Sequence, residues 1–225
     1  MKVGTDGVLL GAWCEVSTAR RVLDIGAGSG VIALMMAQRI PIEARIDAVE
    51  ILPSDAAQAK ENVLASPWPE KVTVIHNAIQ DYIPTDRYDL ITCNPPYFVK
   101  SMLPPNPGRS IVRHSGTLPH DELIAAVCRL LLPDGDFHLI LPTRESNPFR
   151  EQAAQQELHL HKLTRFFTRS GKPQQRSLMT FGFSPDYGQG SVRQAQAIVE
   201  DSLYLYGADR RPTAAYIQLT CDFYL

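Results

Sequence analysis

The stretch Asp24-Ile-Gly-Ala-Gly-Ser-Gly30 decides the fold. It overlaps the end of a short apolar run, Arg21-Val-Leu-Asp-Ile25, and leads directly into an apolar segment over residues 30–39 that is typical of a helix. A strand, a glycine-rich turn and a helix in this order are typical of a doubly wound α/β sheet, and the glycines let the backbone approach a ligand closely. We therefore expect a ligand crevice at the carboxyl end of this first strand.

Four further runs rich in β-branched and aliphatic residues follow, and each is closed by a turn or a polar residue. They cover residues 45–50, 71–76, 88–93 and 135–141. Helices are predicted between them, over Ser54 to Ala65 with Ser54 as N-cap and over His120 to Leu132, where Pro133 ends the helix. Alternating strands and helices favour a mostly parallel sheet with helices on both faces.

The pattern changes after residue 142. A helix is predicted over residues 146–157, two alternating strands over 158–167 and 177–183, and a short amphipathic helix over 212–225. The two strands are expected to add an antiparallel hairpin to the edge of the sheet, which then has seven strands. We predict a single domain over residues 1–225, with a helical amino-terminal segment (1–19), a core (20–142) and a carboxyl-terminal part (143–225).

Composition narrows the class of protein. The 225 residues carry 22 Lys and Arg against 24 Asp and Glu, a net charge of -2, which excludes a uniformly basic nucleic-acid coat. No window resembles a membrane helix or an export signal, and the four cysteines do not have metal-site spacing. We expect a cytoplasmic protein that binds neither a membrane nor a metal and has no obligate protein partner.

Basic side chains concentrate in two stretches that lack acids, residues 98–120 and 158–185. A polyanion is expected to bind these surfaces. The predicted RNA-binding residues are Lys100, Arg109, Arg113, Arg165, Arg169, Lys172 and Arg176.

The turn itself leaves three interpretations open. Gly26, Gly28 and Gly30 resemble the dinucleotide fingerprint GxGxxG but miss it, because Val31 stands at the third conforming position. The turn is structural, or it holds a nicotinamide or flavin nucleotide, or it holds S-adenosylmethionine. Asp24 favours S-adenosylmethionine, since a carboxylate before the turn suits an ammonium group better than a pyrophosphate.

Three residues at the ends of the next strands fit the same cofactor. Glu50 ends the second strand, where a carboxylate accepts hydrogen bonds from ribose hydroxyls, although an NAD site uses the same device. Asn77 and Ala78 follow the third strand, where an adenine edge is expected.

The fourth strand runs into Cys93-Asn94-Pro95-Pro96-Tyr97. Prolines fix the backbone and donate no N–H, so the Asn94 amide oxygen and the Pro95 carbonyl are two rigid acceptors for one NH2 group. Acceptors on both hydrogens favour the attacking form of a conjugated amine, which stabilises the transition state. Tyr97 offers a face for a planar substrate, worth roughly 1 to 3 kcal/mol per stacked base.

At this point the sequence resembles a known family. The turn Asp24 to Gly30, Glu50 and Asn94-Pro-Pro-Tyr97 resemble the motifs of the Rossmann-like S-adenosylmethionine-dependent methyltransferases that modify amino groups. The opening segment over residues 2–13 and the final Asp-Phe-Tyr-Leu over 222–225 are similar to the bacterial valine-tRNA adenine-N6-methyltransferases, which act on the adenine just after the anticodon.

That resemblance implies a class I methyltransferase that binds S-adenosylmethionine and the anticodon loop of tRNA and methylates N6 of adenine 37. It implies Asn94, Pro95 and Tyr97 as catalytic residues and places Thr5 near the methionine end of the cofactor, although Thr5 equally suits an N-cap of the first helix. Three alternatives stay open. A protein glutamine N5-methyltransferase uses the same two acceptors on an amide, and a noncatalytic RNA-binding module would account for the basic stretches alone. The third is a DNA adenine methyltransferase, which would ordinarily need a larger target-recognition domain than residues 143–225 provide.

Overall fold

Eight strands form a single sheet in the part of the chain that the structure, a computed structural model, describes: residues 4–96, 118–183 and 197–223. The strands are β1 (Arg21–Ile25), β2 (Arg45–Glu50), β3 (Val72–His76), β4 (Tyr88–Cys93), β5 (Leu131–Pro142), β6 (Leu158–Arg169), β7 (Arg176–Phe183) and β8 (Val199–Tyr206). The helices are α1 (Thr5–Trp13), α2 (Val31–Ala37), α3 (Pro53–Ala65), α4 (His120–Leu130), α5 (Thr143–Ala154) and α6 (Ala214–Thr220). The strand order is β3-β2-β1-β4-β5-β7-β6-β8.

The parallel half of the sheet places the ends of its strands at one edge. β1 pairs in parallel with β2 on one side and with β4 on the other, and β2 pairs in parallel with β3. The chain therefore runs outward from β1 through β2 to β3 and then returns to the other side of β1 as β4. The reversal between β2 and β4 on either side of β1 is a topological switch point, and ligands bind outside the carboxyl ends of the strands there. The crevice predicted from the glycine-rich turn therefore lies at the expected place in the fold.

Two hydrophobic cores lie on opposite faces of the sheet, as predicted. One contains Leu10 of α1, Met36 of α2 and Val63 of α3, all at most 4% exposed. The other contains Val127 of α4 and Phe149 of α5, both fully buried. A sheet covered on both faces explains why β1, β2 and β4 are buried along most of their length rather than at alternate residues.

The carboxyl-terminal hairpin is antiparallel as predicted, because β7 pairs antiparallel with both β5 and β6. The expected total of seven strands is wrong, since β8 adds an eighth, parallel to β6. Only Leu203 of β8 is buried. A mostly exposed edge strand leaves a weak alternation of apolar and polar residues, which explains why the pattern did not predict it.

Three local expectations at helix ends are also wrong. α3 begins one residue before Ser54, with Pro53 at its first position and no side-chain cap. α4 ends at Leu130, and Pro133 lies inside β5, which begins at Leu131, so Pro133 does not end the helix. Thr5 is the first residue of α1, whose N-cap is Gly4. Helix ends depend on tertiary packing, so capping patterns locate them only to within a turn.

Candidate functional site

The glycine-rich turn between β1 and α2 has the backbone that only glycine adopts freely. Gly26, Gly28 and Gly30 have φ angles of 69°, 55° and 81°, a region that L side chains rarely occupy. The Gly26 and Ala27 amides donate to the Val49 carbonyl at 2.9 and 3.1 Å, which ties the turn to the end of β2. The three glycines are therefore required by the turn itself.

Glu50 fixes the same turn from the end of β2. Its Oε2 accepts from the Gly28 amide and its Oε1 from the Leu52 amide, both at 2.8 Å. Glu50 is 6% exposed and lines the cavity described below. Each carboxylate oxygen has a second lone pair, so the group remains able to accept from two hydroxyls of a ligand.

Asp24 lies beneath the turn rather than in the cavity wall. Its carboxylate is fully buried and accepts from the Ala33 amide at 3.2 Å and from Thr92 Oγ1 at 3.1 Å. Burial, which outweighs these two hydrogen bonds, raises the pKa of Asp24 to about 7, and the charge of Glu50 adds to the effect. Asp24 thus joins β1 to the first turn of α2 and to β4, and its contact with a cofactor ammonium stays a prediction.

Asn94 and Pro95 stand at the carboxyl end of β4, next to β1. Both line the cavity, with Pro95 buried and Asn94 half-buried. α1 packs closely against Val31 and Asn94 at Gly7. A Cβ atom added to Gly7 would lie 3.3 Å from Val31 and 3.8 Å from Asn94 Nδ2. Tyr97, the predicted stacking residue, lies outside the described residues.

A cavity of about 620 Å³ connects these groups. Its volume is within the range of small-molecule sites. Of the predicted cofactor and catalytic residues, seven lie in its wall: Thr5, Gly26, Gly28, Glu50, Asn77, Asn94 and Pro95. Asp24, Gly30 and Ala78 are not in the wall, although Gly30 belongs to the turn.

Several wall residues were not predicted as such from the sequence. Asp6 and Gly7 come from α1, Asp55 from the first turn of α3 and Gln80 from the loop after β3. Asp6 and Gly7 lie within the segment that carries the family resemblance. Nothing in the local sequence marks Asp55 or Gln80, since their place in the wall depends on packing.

Arg176 was predicted as one of the phosphate contacts of the late hairpin, but it lies in the cavity wall. Its Nε donates to Asp6 Oδ2 at 2.8 Å, in an ion pair whose side chains are 27% and 19% exposed. The pair joins the first residue of β7 to the first turn of α1 across 170 positions of sequence. The hairpin therefore contributes to the site from the end that carries its turn, and the RNA contact of Arg176 stays a prediction.

The remaining basic residues of the hairpin differ from one another. Arg165 pairs with Glu200 of β8 at 2.7 Å, and Lys162 lies over the Trp13 ring at 4.8 Å. Arg169 and Lys172 are exposed. Lys100, Arg109 and Arg113 of the first basic stretch lie outside the described residues.

Cys93 also lines the cavity, and burial raises the pKa of its thiol well above the usual range. It therefore stays protonated, and the wall there is a small apolar surface. Over residues 4–96, 118–183 and 197–223, no cluster of three or more His, Cys, Asp or Glu side chains has the arrangement of a metal site. No helix in those ranges has the length and hydropathy to cross a membrane.

The sequence of the chain matches a family of known enzymes. The model of the methyltransferase small domain family matches residues 4–141. The tRNA1(Val) (adenine(37)-N6)-methyltransferase of Aeromonas hydrophila is 48% identical over all 225 residues of this chain and 91% of its own length. The enzyme of the same name from Bacteroides thetaiotaomicron is 38% identical over the same shares of the two chains.

Solved structures confirm the predicted methyltransferase fold. A predicted O-methyltransferase from Agrobacterium tumefaciens has a TM-score of 0.72, with 16% identity and 96% of each chain covered. The glycopeptide N-methyltransferase MtfA, crystallised with S-adenosylmethionine, has a TM-score of 0.58 at 12% identity, over 81% of this chain and all of that one. At these identities the likeness shows the fold alone.

Proposed function

Because the chain belongs to the methyltransferase small domain family, we propose that it transfers a methyl group from S-adenosylmethionine to N6 of adenine 37 in valine tRNA. The observation that carries the reaction type is the position of Asn94 and Pro95. They lie in the wall of the cavity that the glycine-rich turn and Glu50 also line, at the switch point of the sheet.

The cavity residues fit S-adenosylmethionine. When bound, this cofactor supplies a methyl group that its positive sulfur already activates. We assign the ribose hydroxyls to the free lone pairs of Glu50 and the adenine edge to Asn77. We assign the methionine end to the turn and to Thr5, with Asp24 acting beneath the turn.

Asn94 and Pro95 select the group that receives the methyl. Two acceptors side by side take both hydrogens of one NH2, and they hold its lone pair out of conjugation with the ring as the new bond forms. The proton leaves after the transfer, so no strong base is needed, and Tyr97 holds the adenine by stacking. Such a pocket accepts an adenine base that is unstacked from its neighbours in an RNA loop.

The test is nucleoside mass spectrometry of unmodified valine tRNA incubated with the protein and labelled cofactor. We expect one N6-methyladenosine per tRNA, and mass spectrometry of nuclease-derived oligonucleotides from the same tRNA should place it at position 37. Label on protein glutamine and none on tRNA would replace the proposed function with the amide-methylating alternative, and no label on either would overturn it.

Asn94→Ala links that product to the site. It removes one acceptor and keeps the prolines, so we expect single-turnover transfer at least 100-fold slower, about 2.7 kcal/mol in activation free energy. Affinity for S-adenosylhomocysteine should stay within a few fold of the parent's. The matched control is Asn147→Ala on the exposed face of α5, and equal rates for both variants would refute the two-acceptor assignment.

A further inference from the structure

Two turns outside the cavity lie side by side at the same edge of the sheet. One joins β6 to β7 and carries Lys172, which Ser170 and Gly171 separate from Arg169, the last residue of β6. The other follows β8 and carries Arg210 and Arg211. Since β8 pairs parallel with β6 and Arg169 faces Tyr206 in the register, both strands end at this edge.

The edge is continuous with the cavity wall. β7 runs antiparallel to β6, so its first residue, Arg176, lies at the same edge as the last residue of β6. Arg176 belongs to the cavity wall. A ligand that enters the cavity from this side therefore passes the two turns.

The four cations of the two turns differ from the other arginines of the hairpin. Arg165 and Arg176 are neutralised by ion pairs with Glu200 and Asp6. Among the described residues, no carboxylate lies within ion-pair distance of Arg169, Lys172, Arg210 or Arg211, and all four are exposed. Their charge is therefore available to an external anion.

Backbone hydrogen bonds order the turn after β8. The Gly207 amide donates to the Arg211 carbonyl at 2.9 Å, and the Arg210 amide donates to the Gly207 carbonyl at 3.1 Å. The one acid of the turn, Asp209, accepts from the Arg211 amide at 3.0 Å. Arg210 has a φ of 62°, a backbone conformation in which arginine is uncommon. The turn thus holds two arginines in place at a cost in backbone strain.

Aromatic rings lie on the two strands that lead into these turns. Phe167 and Tyr204 face each other in the register and stack, with centroids 5.0 Å apart and an interplanar angle of 18°. Tyr206 follows two residues later on the same face, beside Arg169, and is 40% exposed. Basic residues close to exposed rings suit single-stranded nucleic acid, because phosphates bind the cations and bases stack on the rings.

We propose that Arg169, Lys172, Tyr206, Arg210 and Arg211, which we term the β8 edge, bind the RNA strand that flanks the methylated adenine. The proposal rests on the proposed function for the identity of the RNA. The cations contact backbone phosphates and Tyr206 stacks an unpaired base, so β8 serves as a docking element outside the cofactor-binding core. An acidic protein would use the same cations but would gain nothing from the stacking face.

The test measures binding of valine tRNA by fluorescence anisotropy over a range of salt concentrations. Two double variants, Arg169→Gln with Lys172→Gln and Arg210→Gln with Arg211→Gln, each remove two positive charges. We expect each to raise Kd at least fivefold and to reduce the slope of log K against log salt by about 1 to 2, since each phosphate contact contributes about 0.7 to 0.9. Tyr206→Ala should weaken binding with an unchanged salt slope, and Tyr206→Phe should restore it.

The matched control removes the same charge from the opposite edge, where β1 and β4 begin, with Arg20→Gln and Arg87→Gln, both exposed. Affinity for S-adenosylhomocysteine, measured by calorimetry, should equal the parent's in all variants. If the Arg210 and Arg211 variant has the salt slope of the control while the parent methylates tRNA, this inference fails alone. If the parent neither binds nor methylates tRNA, the proposed function and this inference fail together.

Discussion

Replacing Glu50 by Gln tests the most heavily used side chain of the site. Glu50 accepts hydrogen bonds from the backbone amides of Gly28 and Leu52, both at 2.8 Å, and it also lines the cavity. Gln keeps the size of the side chain but has one oxygen and one NH2 group. One of the two amides must then face a donor, and the negative charge is lost.

The structure sets the magnitude of both effects. A hydrogen bond to a charged group contributes about 1.5 to 3 kcal/mol, so the free energy of unfolding should fall by about that amount without cofactor. A ribose hydroxyl bound to the same carboxylate loses a similar contribution. Affinity for S-adenosylhomocysteine should therefore fall about 10- to 150-fold.

Urea unfolding measures the first effect and calorimetric titration of S-adenosylhomocysteine the second. Glu43→Gln, the same chemical change at an exposed position before β2, is the control and should alter neither. A variant that is less stable but binds the ligand with parental affinity would show that Glu50 only holds the turn. Parental values in both measurements would refute the whole assignment.

Two further predictions concern groups that the fold brings together. Arg176→Gln and Asp6→Asn should each lower the affinity for S-adenosylhomocysteine, because the ion pair of these two residues holds the first turn of α1 in the cavity wall. Calorimetry of the two single variants and the double variant should give a coupling free energy of about 0.5 to 3 kcal/mol between the two positions. Additive losses of binding free energy would contradict this role of the ion pair. Burial lowers the pKa of His138 to about 4, from an ordinary value of 6.5. The unfolded chain therefore takes up a proton below pH 6.5 and the folded one only near pH 4, so stability from this group is lost as pH falls through that window. His138→Gln should remove this loss, so the free energy of unfolding of the parent relative to the variant, measured by urea unfolding, should fall as the pH decreases from 6.5 to about 4. Asp24, whose pKa is raised to about 7, titrates in the opposite sense, but it is present in both proteins and cancels in the difference. An identical profile for parent and variant would refute the assignment.

The sequence by itself determined the parallel half of the sheet and the strand ends at which its crevice lies. β1, β2 and β4 have the predicted bounds to the residue. The glycine turn and the end of β4 were predictable for the same reason. A short apolar run closed by a turn and a glycine with positive φ are local requirements, and the parallel connection then fixes where the strand ends meet.

Only the tertiary structure decided which side chains face the cavity. Asp24 and Glu50 are both strand-end acids in the sequence, yet Asp24 lies buried beneath the turn and Glu50 in the wall. In the sequence, Arg176 is one of several cations of a basic hairpin, but in the structure it pairs with an aspartate 170 positions away. Partners so distant leave no periodic signal in the chain.

The eighth strand shows the same limit at the edge of the fold. β8 buries one apolar side chain, so no alternation predicted it, and its place beside β6 comes from backbone pairing. That pairing brings the turn with Arg210 and Arg211 to the same end of the sheet as Arg169 and Lys172. Local patterns determine which segments form the core of the sheet, whereas its edge and the charges gathered there depend on long-range hydrogen bonds that any sequence can make.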